Sequence, residues 1–134
     1  MATTMDEHAV LVGSTFPWHE VYAPSVPGAI DFYTQALGFG TQEYPMGDMG
    51  TYHMLTMNGK GVAGIMSTNS PEMQGVPPHW ATYLSVDDVD ARLAKCVELG
   101  ATVVVPAMDV PNVGRMALIS DPQGAHLWLF KHAE

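Results

Sequence analysis

The sequence predicts an α+β fold: two βαβββ modules paired into one curved mixed sheet around a cleft, with the helices on the outer face. Three observations predict it. The stretch from Trp18 to Phe39 reads as a strand, a proline-rich turn, a helix and a glycine stop. A second stretch, from His79 onward, repeats that layout, with Gly100 where the first has Gly38. Between them, residues 67–78 carry the Ser, Asn, Pro and Gly content of a linker. Two small sheets, each with a helix on one face, must bury their other faces, and pairing them does so. The expected boundaries are a flexible leader at 1–14, a first module at 15–66, the linker at 67–78 and a second module at 79–134, all within one compact domain.

Each element has a local reason. Phe16 to Ala23 is the first strand. Ser25 is the expected N-cap of the first helix, and Pro27 falls in its first turn, where a missing N–H costs nothing. Ile30, Tyr33 and Leu37 have helical spacing, Phe32 flanks them, and Gly38 ends the helix. Phe39 to Tyr44 and Thr51 to Met57 are strands around the turn Pro45 to Gly50; Asn58-Gly59 is a hairpin signal leading into a strand from Gly61 to Met66. In the second module Trp80 to Val86 is a strand, and Asp87 or Asp88 caps a helix that turns Val89, Leu93, Cys96, Val97 and Leu99 toward the core. Thr102 to Val105 is a β-branched strand and Pro106 to Val113 a loop. Gly114 to Ser120 and Ala125 to Lys131 are strands joined by the turn Asp121-Pro-Gln-Gly124.

Composition narrows the function. The 134 residues carry a formal net charge of −9, and the five basic residues are scattered, so no nucleic-acid partner is expected. No apolar run has the length of a membrane span, and the start lacks a secretory pattern, so no membrane partner and a cytoplasmic location are expected. Cys96 is the single cysteine and reads as a buried structural thiol. Ten Met, three Trp and five Tyr suit an irregular apolar cavity as well as a core.

The motif Ala29-Ile-Asp-Phe-Tyr33, followed by Leu37-Gly-Phe39, resembles the vicinal oxygen chelate superfamily, which includes glyoxalase I, extradiol dioxygenases, bleomycin and fosfomycin resistance proteins and epimerases. Leu84-Ser-Val-Asp-Asp88, Gly100-Ala-Thr-Val103 and Asp121-Pro-Gln-Gly-Ala125 carry the same likeness, which covers residues 16–131. Trp18-His-Glu-Val21, Tyr52-His-Met-Leu55, Gly61-Val-Ala-Gly-Ile65, Pro78-His-Trp80, Tyr83 and Gly114-Arg115 resemble a glyoxalase-like branch with a Trp in its first strand. Metal-dependent members of the superfamily place one ligand on each of four strands. Counted from the motifs, those positions fall here on Trp18, Gly64, Ala81 and Trp128, none of which ligates a divalent ion. The resemblance therefore implies the fold without the metal site, and no cofactor is expected.

Strand alternation then places side chains on the cavity face. These are Trp18, Glu20 and Tyr22; Val62, Gly64 and Met66; His79, Ala81, Tyr83 and Ser85; and His126, Trp128 and Phe130. Val21, Ala23, Leu127 and Leu129 point to the helices, as does His19; the face of His53 is left open. Glu20 among aromatics reads either as an acid–base residue, with His126 as its proton shuttle, or as a carboxylate held by hydrogen bonds to Tyr or a backbone group, with His126 a structural histidine. Trp18, Tyr22, Met66, His79, Tyr83, Arg115, Trp128 and Phe130 are the expected ligand contacts, Arg115 through a ligand anion or else as a salt bridge. Asp87, Asp88 and Asp121 read as cap and turn residues.

The first reading is a glyoxalase- and bleomycin-resistance-like protein that binds a small aromatic or amphipathic molecule, either to sequester it or for metal-independent acid–base chemistry through Glu20. A second is a lyase or isomerase with a displaced metal on Glu20, His79 and His126, or an oxygenase with such a metal. A third is a non-catalytic assembly protein. A homodimer is expected in each.

Overall fold

The computed structural model describes residues 16–133; the leader predicted at 1–14 lies outside them. Eight strands and two α-helices follow in the order β1 (Trp18–Ala23), α1 (Val26–Leu37), β2 (Gly40–Pro45), β3 (Thr51–Met57), β4 (Lys60–Ser67), β5 (His79–Ser85), α2 (Val89–Glu98), β6 (Thr102–Val110), β7 (Gly114–Ser120) and β8 (His126–His132), with short 3-10 turns at Gly47–Met49 and Pro71–Met73. This is the α+β class, and the βαβββ order occurs twice, as the sequence predicts. The described residues form two compact units, Trp18–Ala81 and a second that holds 16–17 and 82–133, so β5 begins in the first and ends in the second.

In the first unit the strands lie in the order β2-β3-β4-β1, antiparallel except for the parallel β1–β4 pair. Ser25 Oγ accepts the Gly28 N–H at 3.0 Å to start α1, and Gly38, at φ 79°, ends it with its N–H on Thr34 O. The core is Val21, Leu55, Ala63 and Ile65, packed against Val26, Ala29, Ile30, Tyr33 and Phe39. Leu37, expected on that face, occupies the last helical position and is 58% exposed. Asn58 and Gly59 both have positive φ (55° and 80°), as the tight β3–β4 hairpin requires. The segment after β4 is tied to the end of β1 by Thr68 N–H to Ala23 O and Asn69 Nδ2 to Pro24 O.

In the second unit the order is β5-β8-β7-β6, with β5 and β8 parallel. Asp88, rather than Asp87, caps α2 by accepting the Ala91 N–H at 3.0 Å. Val89, Ala117, Ile119 and Leu129 form the core, and Leu93 and Cys96 pack against it; Cys96, expected to be buried, is only partly so. Val97 and Leu99, expected inward, are exposed: Val89, Leu93 and Cys96 already define the packed stripe, Val97 lies about 80° around the helix from it, and Leu99 follows the last turn. The predicted loop from Pro106 is instead a continuation of β6. β6 ends its sheet, and its register with β7 shifts twice around Pro106, so the proline's missing N–H falls at an irregularity of an edge strand.

Candidate functional site

The face of the first sheet turned away from α1 carries Trp18, Glu20 and Tyr22, as alternation predicts, because Val21 between them belongs to the helix-side core. Glu20 is a carboxylate only 6% exposed. Burial without partners would be costly for it, and two phenols supply partners. Tyr22 Oη donates to Glu20 Oε1 at 3.1 Å, and Tyr52 Oη donates to Oε2 at 2.6 Å. The Trp18 indole N–H donates to Tyr52 Oη at 2.9 Å. Because the Tyr52 oxygen accepts from Trp18, its single hydrogen is committed to Glu20. Burial, then the adjacent Glu20 charge and the hydrogen bond to it, push the Tyr52 hydroxyl well above the usual phenol range. Tyr52 is thus a fixed hydrogen-bond donor to Glu20.

Two glycines of β4 make this arrangement possible. Gly64 stands in register with Glu20 on β1 and Met54 on β3. A Cβ at position 64 would collide with the Tyr52 ring. A Cβ at Gly61 would press on Met54 Sδ at 3.3 Å and meet the Trp18 ring at 3.7 Å. Tyr52 is the residue that alternation alone did not supply. The signal was present in Gly64, since a glycine inside a strand marks a close approach by another group. The register also answers the open question of His53: it pairs with Ile65 and lies on the helix side.

Tyr22 has a second neighbour. Its ring stacks on His79, with centroids 4.8 Å apart and planes parallel. His79 Nδ1 lies 2.8 Å from the Pro77 carbonyl oxygen, which can only accept, so Nδ1 carries a proton. Tyr22 and His79 border an open cleft of about 400 Å³, lined also by Pro24, the first turns of α1 with Phe32 and Tyr33, and Pro78 and Trp80. The Trp80 indole N–H donates to Tyr33 Oη at 3.1 Å, and the two rings meet edge to face. Met66 stands beside Tyr22 in register.

The second unit collects the other predicted aromatics. Tyr83 stacks on Trp128, with centroids 5.2 Å apart, and meets Phe130 edge-on at 6.0 Å. All three face away from α2, because Leu129 between Trp128 and Phe130 is in the helix-side core. Arg115 lies on the opposite face. Its Nε and Nη2 bond the two carboxylate oxygens of Asp90 at 2.9 Å each, and Nη1 reaches Asp109 at 3.1 Å. These hydrogen bonds raise the guanidinium's pKa further and hold Asp90 below the usual carboxylate range. His126 is exposed at the start of β8, paired with Ser120. Asp121 accepts the Gln123 and Ala125 N–H groups at 2.8 and 3.0 Å, as its reading as a turn residue requires. Asp87 bonds Arg92.

The donor set of the first unit does not suit a metal ion. Trp18 and Gly64 offer no ligand atom, and both Glu20 oxygens take phenol hydrogens. Among the described residues no group of three or more His, Cys, Asp or Glu converges. No helix among them is long and apolar enough to cross a membrane.

Comparison with known proteins agrees with this architecture. The family model for the glyoxalase/bleomycin resistance protein/dioxygenase superfamily matches residues 15–129. The chain is 40% identical over 115 residues to the "Putative glyoxylase CFP32" of Mycobacterium tuberculosis (strain CDC 1551 / Oshkosh), covering 85% of this chain and 44% of that protein. It is 30% identical over 119 residues to the "Anthracycline biosynthesis protein DnrV" of Streptomyces peucetius, covering 81% of this chain and 43% of that protein. The chain thus spans less than half the length of these relatives. Methylmalonyl-CoA epimerase from Mycobacterium tuberculosis has a similar fold, with a TM-score of 0.59 at 20% identity over 87% of each chain. So has hypothetical protein BH1468 from Bacillus halodurans C-125, with a TM-score of 0.64 at 13% identity over 90% of this chain and 96% of that one. The chain belongs to the glyoxalase/bleomycin resistance protein/dioxygenase superfamily.

Proposed function

We propose that this member of the superfamily binds a small planar aromatic molecule without a metal. The observation that carries the reading is the cavity of about 400 Å³ in the first unit, walled by Tyr22, Phe32, Tyr33, His79 and Trp80. Its volume is in the range of small-molecule sites, and aromatic walls reward flat apolar ligands. The relatives named for anthracycline biosynthesis support the ligand class, since anthracyclines are planar polycyclic compounds. Acid–base chemistry at this site would run through Glu20, which accepts the hydroxyl hydrogen of Tyr22 in the cavity wall. The displaced-metal reading loses support because both Glu20 oxygens accept phenol hydrogens.

The test is a thermal-shift and calorimetric screen of planar aromatics against the full chain and its Trp80→Ala variant. A true ligand at about a hundredfold excess over its Kd stabilises the native state by roughly 2.7 kcal/mol. The reading predicts such hits, weakened at least about tenfold by Trp80→Ala. Hits that bind Trp80→Ala equally well would place the ligand elsewhere and defeat it.

A further inference from the structure

The cleft of the first unit has a corner made of three aromatic side chains on two walls. Phe32 and Tyr33 come from α1, and Trp80 from the start of β5. The Tyr33 ring is nearly perpendicular to both neighbours, at 81° to Phe32 and 85° to Trp80, with centroids 5.1 and 5.5 Å away. Tyr33 itself is anchored, since it packs on the core and meets Phe39 edge-on at 6.3 Å. Phe32 and Trp80 are 58% and 48% exposed, so their rings are open to a ligand.

This corner holds one hydrogen that the fold does not use. The Trp80 indole N–H, which can only donate, goes to Tyr33 Oη at 3.1 Å. Among the described residues Tyr33 Oη makes no other hydrogen bond, so the phenol's own hydrogen is uncommitted. The bond joins the α1 wall to the β5 wall, which puts Oη where the two walls meet. Ser25, the hydroxyl at the start of α1, accepts the Gly28 N–H and lies about 12 Å from Tyr33 along the helix axis. None of the described residues lining the cleft is Lys or Arg, so a negative charge there would go without a cation.

We infer that the Phe32–Tyr33–Trp80 corner selects planar aromatics that carry a neutral hydrogen-bond acceptor at the ring edge, namely aryl ketones, aryl aldehydes and quinones. The ligand ring lies against the open aromatic side chains, and its carbonyl oxygen accepts the Tyr33 hydrogen. Tyr33 is then the specificity-determining residue of the cleft. This rests on the binding reading above and deepens it by naming the ligand's chemistry and the group that reads it.

Two probes of nearly one shape separate the claims: 2-acetylnaphthalene and 2-ethylnaphthalene, which differ in a carbonyl against a methylene, measured by equilibrium dialysis. Their unequal hydration cancels when the ketone-to-hydrocarbon affinity ratio is compared between wild type and variant. Tyr33→Phe keeps the ring and removes the hydrogen. It should lower that ratio at least about fivefold, the worth of one neutral hydrogen bond, while the hydrocarbon's affinity stays within about twofold. Trp80→Phe keeps an aromatic wall and removes only the other end of the Tyr33 bond, so its ratio should stay within about twofold of wild type. A ratio unchanged in Tyr33→Phe, including a fall of both probes by the same factor, would overturn the selectivity and leave the binding site standing. So would a ratio lost in Trp80→Phe, which would assign the preference to the indole. Failure of both probes to bind wild type would remove the binding reading and this inference together.

Discussion

The Tyr52 phenol lies over Gly64, where a methyl group would overlap its ring, and from there donates a 2.6 Å hydrogen bond to Glu20. Gly64→Ala should therefore act through Tyr52. The expected cost is about 1–3 kcal/mol, the usual penalty of overpacking, read by urea denaturation. Most of it should vanish when Tyr52 is already leucine, so the double-mutant cycle should show coupling between the two positions. Additive costs would mean that the glycine serves something other than the phenol.

Stability should decline at high pH because of the same residue. Tyr52's hydroxyl is raised above its ordinary range by burial and by the Glu20 charge. A group whose folded pKa exceeds its unfolded value stabilises fully below the unfolded value, about 10 for a phenol, and loses that contribution as pH rises above it. Tyr52→Phe should flatten the alkaline limb of the stability–pH curve relative to wild type. An identical limb in both proteins would refute the assignment.

Local rules carried most of the fold. Ser25, Gly38, Asn58-Gly59, Asp88 and Asp121 each do what their side chains or backbone preferences dictate. Pro106 misled because a proline reads as a strand breaker until one knows that β6 is an edge with a broken register. Period-two alternation put Trp18, Glu20 and Tyr22 together on the face of β1 turned away from α1, since it needs only one known inward residue per strand. It could not supply Tyr52, which reaches Glu20 across β4 and depends on the register of three strands. Nor could it show that Arg115 points to the helix side, because the pairing of Ala117 with Leu129 fixes that face.

Arg115 joins α2 to β6 through Asp90 and Asp109, so its loss should loosen the second unit. Arg115→Lys cannot reproduce the two-pronged contact with Asp90 and should behave much like Arg115→Met. Both pairs are exposed, so the effect on Tm should be small and should shrink further as salt is added. A loss of Tm that persists in high salt would point to packing of the arginine stem instead.

Asp121 should contribute to stability above the ordinary aspartate range and lose that contribution on acidification. Its carboxylate is held below the usual value by the Ala125 and Gln123 N–H groups, so the folded pKa is lower than the unfolded one. A depressed carboxylate stabilises above its unfolded pKa, about 3.9, and ceases to do so as pH falls through the folded value. Asp121→Ala should lower Tm at neutral pH and converge with wild type in acid. A constant offset across the whole range would show that the turn depends on the residue for another reason.

The chain should be indifferent to chelators. A catalytic zinc needs three protein ligands, whereas among the described residues no three His, Cys, Asp or Glu converge and both Glu20 oxygens already accept phenol hydrogens. Protein purified without a histidine tag should carry well under one metal per chain, and removal of any residual ion should leave Tm unchanged. Ligand affinity for aromatic probes should be the same before and after chelation. A stoichiometric ion that disappears in Glu20→Ala would reverse the conclusion, because a metal bound to that carboxylate would have to displace Tyr22 and Tyr52 from its oxygens. In that case the alkaline limb assigned above to Tyr52 would also change on metal removal, so the two measurements check one another.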